Sequence, residues 1–540
     1  MKLFVFFAAV SAFAQPADLA ITNAHIYTEN PRVPQASAIA VRNGAIVAIG
    51  SDVSNRIGSS TQVIDAHSAT VIPGLIDSHG HVRALGASLE NLDLRGMTSE
   101  QAIAGKVRAA AKNAKPGEWI LGSAWDQNLW ATPQFPTADS LTQAAPDNPV
   151  ALTRVDGHAV WVNRKALEIA DVNAATKDPQ GGRVMRDSSG KPAGVFLDNA
   201  KSLIESKIPA PSEEQVERQL LRALRECARL GITTVHDAGV TQVDIDAYHA
   251  LIRKNQMPIH VYAMVRGPEN PTLNAWLDRG PEIGDWLTVR SIKLISDGAL
   301  GSRGAALLEP YSDDPGNRGL LILDRATIRR VAEKAVARGF QVNTHAIGDA
   351  ANRAAIDAYG DVLQGPNDHR FRIEHAQVVA PEDFEKFRKY SVIASMQATH
   401  ATSDMPWAQA RLGPERIKGA YAWQTFLNLG VHIPNGSDFP VESPNPLWGL
   451  YAAITRQDKT GQPAGGWFPA QRMTREEALR SWTIEGAYAA FEENKKGTLE
   501  VGKAADFIML SDDVMTIPEI GIWKTRVLLT VAGGKIAHRE

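Results

Sequence analysis

The sequence predicts an α/β chain: a (β/α)8 TIM barrel, a small β-sandwich domain drawn from both chain termini, and a large insert after the first barrel strand. Three observations predict it. Short apolar runs that end in polar residues recur through the body of the 540-residue chain, separated by helical patterns, as repeated β-α units require. Eight such runs occur, and eight parallel strands close a barrel. At both chain ends the pattern changes to short alternating runs with turn signals, which suggests one β domain assembled from the two termini.

Residues 1–14 read as a secretory signal. Lys2 precedes the apolar run Leu3–Val10, and Ala12-Phe13-Ala14 makes a small-x-small site before Gln15. The run is too short to span a bilayer. Export to the periplasm or beyond is expected, with no membrane insertion after signal removal. Residues 15–73 and 495–540 form the expected composite β-sandwich. Within it, Asn43-Gly44 between two apolar runs is a strong hairpin signal.

The barrel is expected over 74–84 and 215–494. Its strands are Leu75–His81, Thr233–Asp237, Ile259–Ala263, Ser291–Asp297, Gln341–His345, Phe371–His375, Val392–Gln397 and Val431–Asp438. Helices such as Ile328–Gly339, with Gly339 as C-cap, fit the intervals. One interval does not: about 150 residues separate the first strand from the second, far beyond one crossover helix. That stretch, 85–214, has Pro-rich and aromatic segments and strands of its own. It reads as an inserted domain over the barrel mouth.

Composition narrows the classes. Hydrophobic residues make up 44% and charged residues 22%, ordinary for a globular protein. A formal net charge of -3 offers no basic excess for nucleic acid. A small-molecule substrate is expected, and a homodimer stays open. Cys227, the single cysteine, sits in a helical pattern and reads as a packed thiol rather than a nucleophile.

The chemistry lies at the strand ends. His79 and His81 flank Gly80 at the end of the first run. A strand has a side-chain period of two, so both imidazoles point to one side and can grip one ion. The glycine between them leaves room for close approach. Lys293, His345, His375 and Asp438 stand at or near the ends of the fourth, fifth, sixth and eighth runs. Imidazole with carboxylate suits zinc and related divalent ions.

This ordered set resembles the amidohydrolase superfamily. Four further stretches, Ser123–Trp130, Asp156–Asn163, Asp297–Arg303 and Ser437–Pro440, resemble its amidohydrolase-3 branch, which includes N-substituted formamide deformylases. The resemblance implies a metal-dependent hydrolase that cleaves a non-peptide C–N bond, with one or two divalent ions, zinc foremost. It implies His79, His81, His345, His375 and Asp438 as ligands. A lysine ammonium has no lone pair for a metal, and the family's answer is a carbamate on Lys293 whose oxygens bridge two ions. Otherwise Lys293 is a charged neighbour of a mononuclear site. Asp438 is also the expected general base, its alternative being a turn residue before Phe439-Pro440.

From the same motifs, His158 is expected to polarise the substrate carbonyl. Trp125, Asp126, Gln127 and Arg303 are expected as substrate contacts, surface or interdomain hydrogen bonding being the alternative for the three polar residues, with Trp125, Trp130 and Trp161 as pocket walls or insert core. His236 could orient a ligand histidine through a hydrogen bond, whereas His260 and His432 read as packed. The same site could instead act on a cyclic amide, carbamate, ester or lactone. An exported binding protein with an inactive metal site is the reading of another class.

Overall fold

A computed structural model describes residues 15–154, 159–179 and 182–540. Residues 1–14, expected as a signal peptide, and His158 lie outside the described residues. The described chain falls into two compact units, one of 15–82 with Leu224–Glu540 and one of Arg83–Ala223.

The first unit holds the barrel. Its strands are β1 (Leu75–Gly80), β2 (Ile232–Val240), β3 (His260–Arg266), β4 (Leu287–Ile295), β5 (Gln341–Ala346), β6 (Arg372–His375) and β7 (Ile393–Ser395). They lie side by side in chain order, each parallel to the next. These strands are almost wholly buried, as expected when helices cover one face and side chains fill the other.

The eighth stave departs from the expected regular strand. Residues 432–438 run between β7 and β1 and close the barrel by backbone hydrogen bonds on both sides. Ala394 N donates to His432 O (3.1 Å) and Met396 N to Pro434 O (3.1 Å); on the other side Ser78 N donates to Asn435 O (3.0 Å) and Asp438 N to His79 O (2.7 Å). Pro434 has no N–H to give, so the ladder is incomplete there, although Gly436 N still donates to Met396 O (3.0 Å).

The helix expected from Ile328 begins earlier, at Arg325, because Asp324 caps Thr327 N at 2.8 Å. It ends as expected, with Gly339 at φ 76°. Cys227 is fully buried, which pushes its thiol well above the ordinary value and keeps it protonated.

Two sheets form the β domain. One orders Ala45–Gly50, Ala38–Arg42, Leu19–Thr22 and Gln62–Asp65. The other joins Lys535–Arg539, Val527–Ala532 and Phe507–Leu510 to Thr70–Pro73, His25–Tyr27 and Gln35–Ala36. Their shared core takes Ile21, Ile39 and Val71 from the N-terminal part and Phe507, Leu529 and Val531 from the C-terminal part. Asn43 and Gly44 turn the first hairpin at φ 50° and 79°, the left-handed pair that a type I′ turn needs.

The Arg83–Ala223 unit has its own six-stranded sheet, from Gly182–Arg186 at one edge to Leu92–Asp93 at the other. Side chains alternate between two cores: Leu152 and Trp161 enter one, Ala151 and Val160 the other.

Candidate metal centre

The strand-end residues meet. His79, His81, Lys293, His345, His375 and Asp438 all line one cavity of about 380 Å³ at the C-terminal ends of the barrel staves. His79, His375 and Asp438 each offer a ligand atom, and these atoms lie within 4.8 Å of one another.

Each histidine is oriented by a partner on one ring nitrogen, which leaves the other for the centre. His79 Nδ1 meets Glu374 Oε2 at 2.5 Å, and its Nε2 lies 3.6 Å from Asp438 Oδ1. His81 Nδ1 meets Ala238 O at 2.8 Å, and its Nε2 lies 3.1 Å from Asp438 Oδ1. His375 Nδ1 meets Gln397 Oε1 at 2.6 Å. His345 Nε2 lies 3.4 Å from Asp297 Oδ1, and Asp297 is itself held by the backbone N–H groups of Ile347 and Gly348.

The local backbone is built for this convergence. His375 and Asp438 both sit at positive φ, 73° and 57°, a costly conformation for residues with a Cβ. Gly80 serves differently from the sequence expectation. A Cβ there would lie 2.5 Å from the Phe439 ring, so the glycine admits that ring rather than an ion. At Gly436 a Cβ would come within 2.6 Å of His79 N, so the last stave packs directly on the first.

Burial sets the charges. It lowers His79 to about 4 and His375 well below the ordinary histidine value, with Lys293 and His345 adding to the respective shifts. Both are neutral, the form that binds metal. Burial alone would raise Asp438, but the hydrogen bond from His81 and the surrounding imidazoles of His79, His375 and His400 hold it well below the carboxylate range. Glu374 is likewise drawn down to about 2 against its burial, by His79, Arg372 and Lys293. Burial also lowers Lys293, whose Nζ lies 3.0 Å from His79 Nε2.

The donor set fits a divalent cation. Asp438 Oδ1 is shared between the Nε2 atoms of His79 and His81, at 3.6 and 3.1 Å, and the buried Nε2 of His400 has no hydrogen-bond partner; a buried polar atom of that kind is costly unless something pairs with it. Neutral imidazoles around an anionic carboxylate supply what zinc or a similar ion takes.

Other expected residues stand elsewhere. Trp125 is wholly buried in the core of its unit, with its indole N–H on Leu152 O at 2.7 Å. Trp130 and Trp161 share that core, so these rings pack in the core of the insert. Asp126 and Gln127 both receive Arg154, at 2.9 and 2.8 Å. Arg303 is drawn off by Asp313 (3.1 Å), and the cavity takes Ala299, Leu300 and Gly301 from that loop. His236 meets Arg372 at 3.0 Å, and the Arg372 guanidinium lies 3.9 Å from Glu374, the carboxylate that holds His79 Nδ1. His260 is packed between Asp506 (3.2 Å), Asp285 O and the Trp286 ring. His432 stacks on Tyr488 and pairs with Glu485.

Sequence reasoning missed His400, Glu374 and Asp77. His400 lines the cavity from the short helix Ala398–Asp404, with Nε2 3.6 Å from Asp438 Oδ2. No pairwise spacing announces it, although it follows directly on the seventh run. Glu374 and Asp77 had a usable signal, a charged residue inside an otherwise buried strand, where it needs a partner.

A family model described as the amidohydrolase family matches residues 62–538. The chain belongs to this family. The match bears out the resemblance to its amidohydrolase-3 branch. Among curated relatives, "Protein LONG AFTER FAR-RED 3" of Arabidopsis thaliana is 35% identical over 96% of this chain and 91% of its own length. An N-substituted formamide deformylase of Arthrobacter pascens is 25% identical over 97% of this chain and 99% of its own. An uncharacterized metal-dependent hydrolase of Pyrococcus furiosus superposes with a TM-score of 0.77, at 28% identity, covering 92% of this chain and all of that one. As an amidohydrolase-family hydrolase, the chain places its candidate metal residues at the strand ends where barrel enzymes carry their chemistry.

Proposed function

We propose that this amidohydrolase-family chain cleaves the C–N bond of a non-peptide amide in a small molecule, with water as the nucleophile. The observation that carries the reading is the convergence of His79, His375 and Asp438 donor atoms within 4.8 Å. A cavity of about 380 Å³ suits a small substrate. The deformylase relative supports the amide bond as the point of cleavage.

One or two divalent ions, zinc foremost, would be held by His79, His81, His345, His375 and Asp438. A second ion would call on a carbamate of Lys293, whose amine burial already favours in its neutral form. When bound, such a cation acts as a Lewis acid and brings the pKa of water close to neutrality. Asp438 is ionised and can accept a proton from the attacking water. The water oxygen bonds to the carbonyl carbon, the C–N bond breaks, and Asp438 returns the proton to the leaving nitrogen. The family resemblance gives His158 the task of polarising the carbonyl.

The test is metal analysis of the purified chain followed by assays on N-substituted formamides, lactams, carbamates, lactones and esters. A stoichiometric divalent ion and amide turnover that a chelator abolishes and zinc or manganese restores are expected. Turnover confined to esters or lactones would replace the amide reading. A metal-loaded chain inert toward the whole panel would favour the binding-protein reading.

Export is part of the proposal, on the strength of Lys2, the apolar run and Ala12-Phe13-Ala14. N-terminal sequencing of cell-derived protein should begin at Gln15; an intact Met1 would refute it.

A further inference from the structure

His79, His81, His345, His375 and His400 line the cavity, and the last is unlike the rest. The other four have a neighbour on one ring nitrogen: Glu374 on His79, Ala238 O on His81, Asp297 on His345 and Gln397 on His375. A histidine that ligates a metal carries such an anchor, which fixes its ring and tautomer. His400 has no anchor among the described residues. Its buried Nε2 makes no hydrogen bond, and Asp438 Oδ2, 3.6 Å away, is too far for one. The ring is stacked on His375 instead, with 5.7 Å between centres and 20° between planes. His400 therefore lacks the mark of a ligand and keeps its donor for a group that enters the cavity.

The backbone around this ring is fixed. His400 is the third residue of the helix Ala398–Asp404, which follows β7 directly. Gln397, just before the helix, is bonded to His375, and Ala398 N donates to Asn435 Oδ1 of the last stave at 3.2 Å. The two oxygens of Asp438 face different groups. Oδ1 faces His79 and His81, at 3.6 and 3.1 Å, and Oδ2 faces His400. A water that gives its proton to Asp438 lies within hydrogen-bond reach of that carboxylate. The oxygen of the carbonyl it attacks is one carbon atom further on. A fixed donor beside Oδ2 that is not spent on Asp438 is placed for that oxygen.

We propose that His400 is a catalytic residue whose ring N–H donates a hydrogen bond to the substrate carbonyl oxygen during hydrolysis. This rests on the hydrolytic reading above. As the water oxygen bonds to the carbonyl carbon, the π pair of C=O moves onto oxygen, and the His400 N–H meets the negative charge that grows there. Asp438 takes the proton of the water and returns it to the leaving nitrogen. The pair on oxygen re-forms C=O as the C–N bond breaks. His400 transfers no proton in this sequence. The family resemblance looks to His158 for such a donor; the barrel supplies one on a packed element beside the proton acceptor.

The test uses the metal-loaded full chain, with N-butylformamide and N-butylacetamide as substrates and N-butyl methylphosphonamidate as a tetrahedral analogue. His400→Phe keeps a ring to stack on His375 and removes the donor. It should lose about 10²–10³-fold in kcat while KM and metal stoichiometry stay nearly unchanged, the pattern of an interaction made only in the transition state. Calorimetry gives a readout independent of turnover: analogue affinity should fall by the same factor as kcat/KM, and acetate binding should not. His400→Ala gives the same comparison if the Phe ring crowds the site. Retained kcat, lost metal, or an analogue bound as tightly as by wild type overturns this proposal and leaves the amide reading standing. The same losses measured on butyl acetate, in a chain that spares both amides, uphold His400 and overturn the amide reading. A chain inert toward the amides and the ester overturns both.

Discussion

Asp77 and Ser437, 360 positions apart in the chain, share a 2.6 Å hydrogen bond in the closed barrel. Asp77 also accepts from Ser437 N and His79 N, each at 3.1 Å. One buried carboxylate therefore ties the stave that bears His79 and His81 to the stave that bears Asp438. The spacing of the metal donors depends on that seam.

Ser437→Ala should lower the stability of the unit by about 1.5–3 kcal/mol, the worth of a hydrogen bond to a charged group. A fall in the urea midpoint checks this. Gly436→Ala should be worse, because its Cβ meets backbone, His79 N at 2.6 Å, and backbone cannot rotate away. Its metal content should drop along with its stability; a well-folded, fully loaded Gly436→Ala would contradict the seam.

Asp438→Asn should cut kcat by about 10²–10⁴-fold, the usual contribution of a positioned general base. The histidines remain to hold the ion, so metal content should stay largely intact. Rate and metal stoichiometry must be measured on the same sample. Full activity would remove Asp438 from the proton transfer.

Glu374→Gln tests the orientation of His79. The carboxylate on Nδ1 fixes the ring and makes it a stronger donor, and partners of this kind are typically worth 10–100-fold in metal affinity. Competition with a chelator should show a loss of that size. An unchanged affinity would mean that packing alone orients the ring.

Lys293→Met should abolish any second equivalent of metal and leave the first, if a carbamate bridges two ions. Loading wild type in carbon-dioxide-free buffer should have the same effect, and added bicarbonate should reverse it. Equal stoichiometry under all three conditions would exclude the carbamate.

Glu29 gives a pH signature in the β domain. Burial raises its carboxyl to about 7, against a partial offset from Arg480. Between about 4.5 and 7 the folded chain then binds more protons than the unfolded one. Stability falls as pH rises through that window and is level above it. Urea midpoints at pH 5 and pH 8 should differ in the wild type by more than in Glu29→Gln, where the titration is gone. An identical difference in both would place the slope elsewhere.

Much of this was legible in the chain because it is written locally. Strand periodicity put His79 and His81 on one side, and the order of polar residues at apolar run ends placed Lys293, His345, His375 and Asp438 at one end of a barrel. Asn43-Gly44 and Gly339 announced their turns through backbone conformations that few residues adopt. His400 was not legible, since a lone histidine in a short helix has no pattern. Nor was the placement of Trp125, because an aromatic ring suits a pocket wall and a core equally well, and only neighbours distinguish them.

The sequence by itself determined the alternation of strands and helices, the composite β domain and the residue types available for a metal, all of which follow from short-range periodicity. Only the tertiary structure decided which atoms meet. It joined Glu374 to His79, set Asp404 and Glu442 in the cavity beside His400, and withdrew Arg303 to Asp313. Those pairings depend on contacts between distant segments and on the burial that fixes each charge, and neither quantity exists until the barrel has closed.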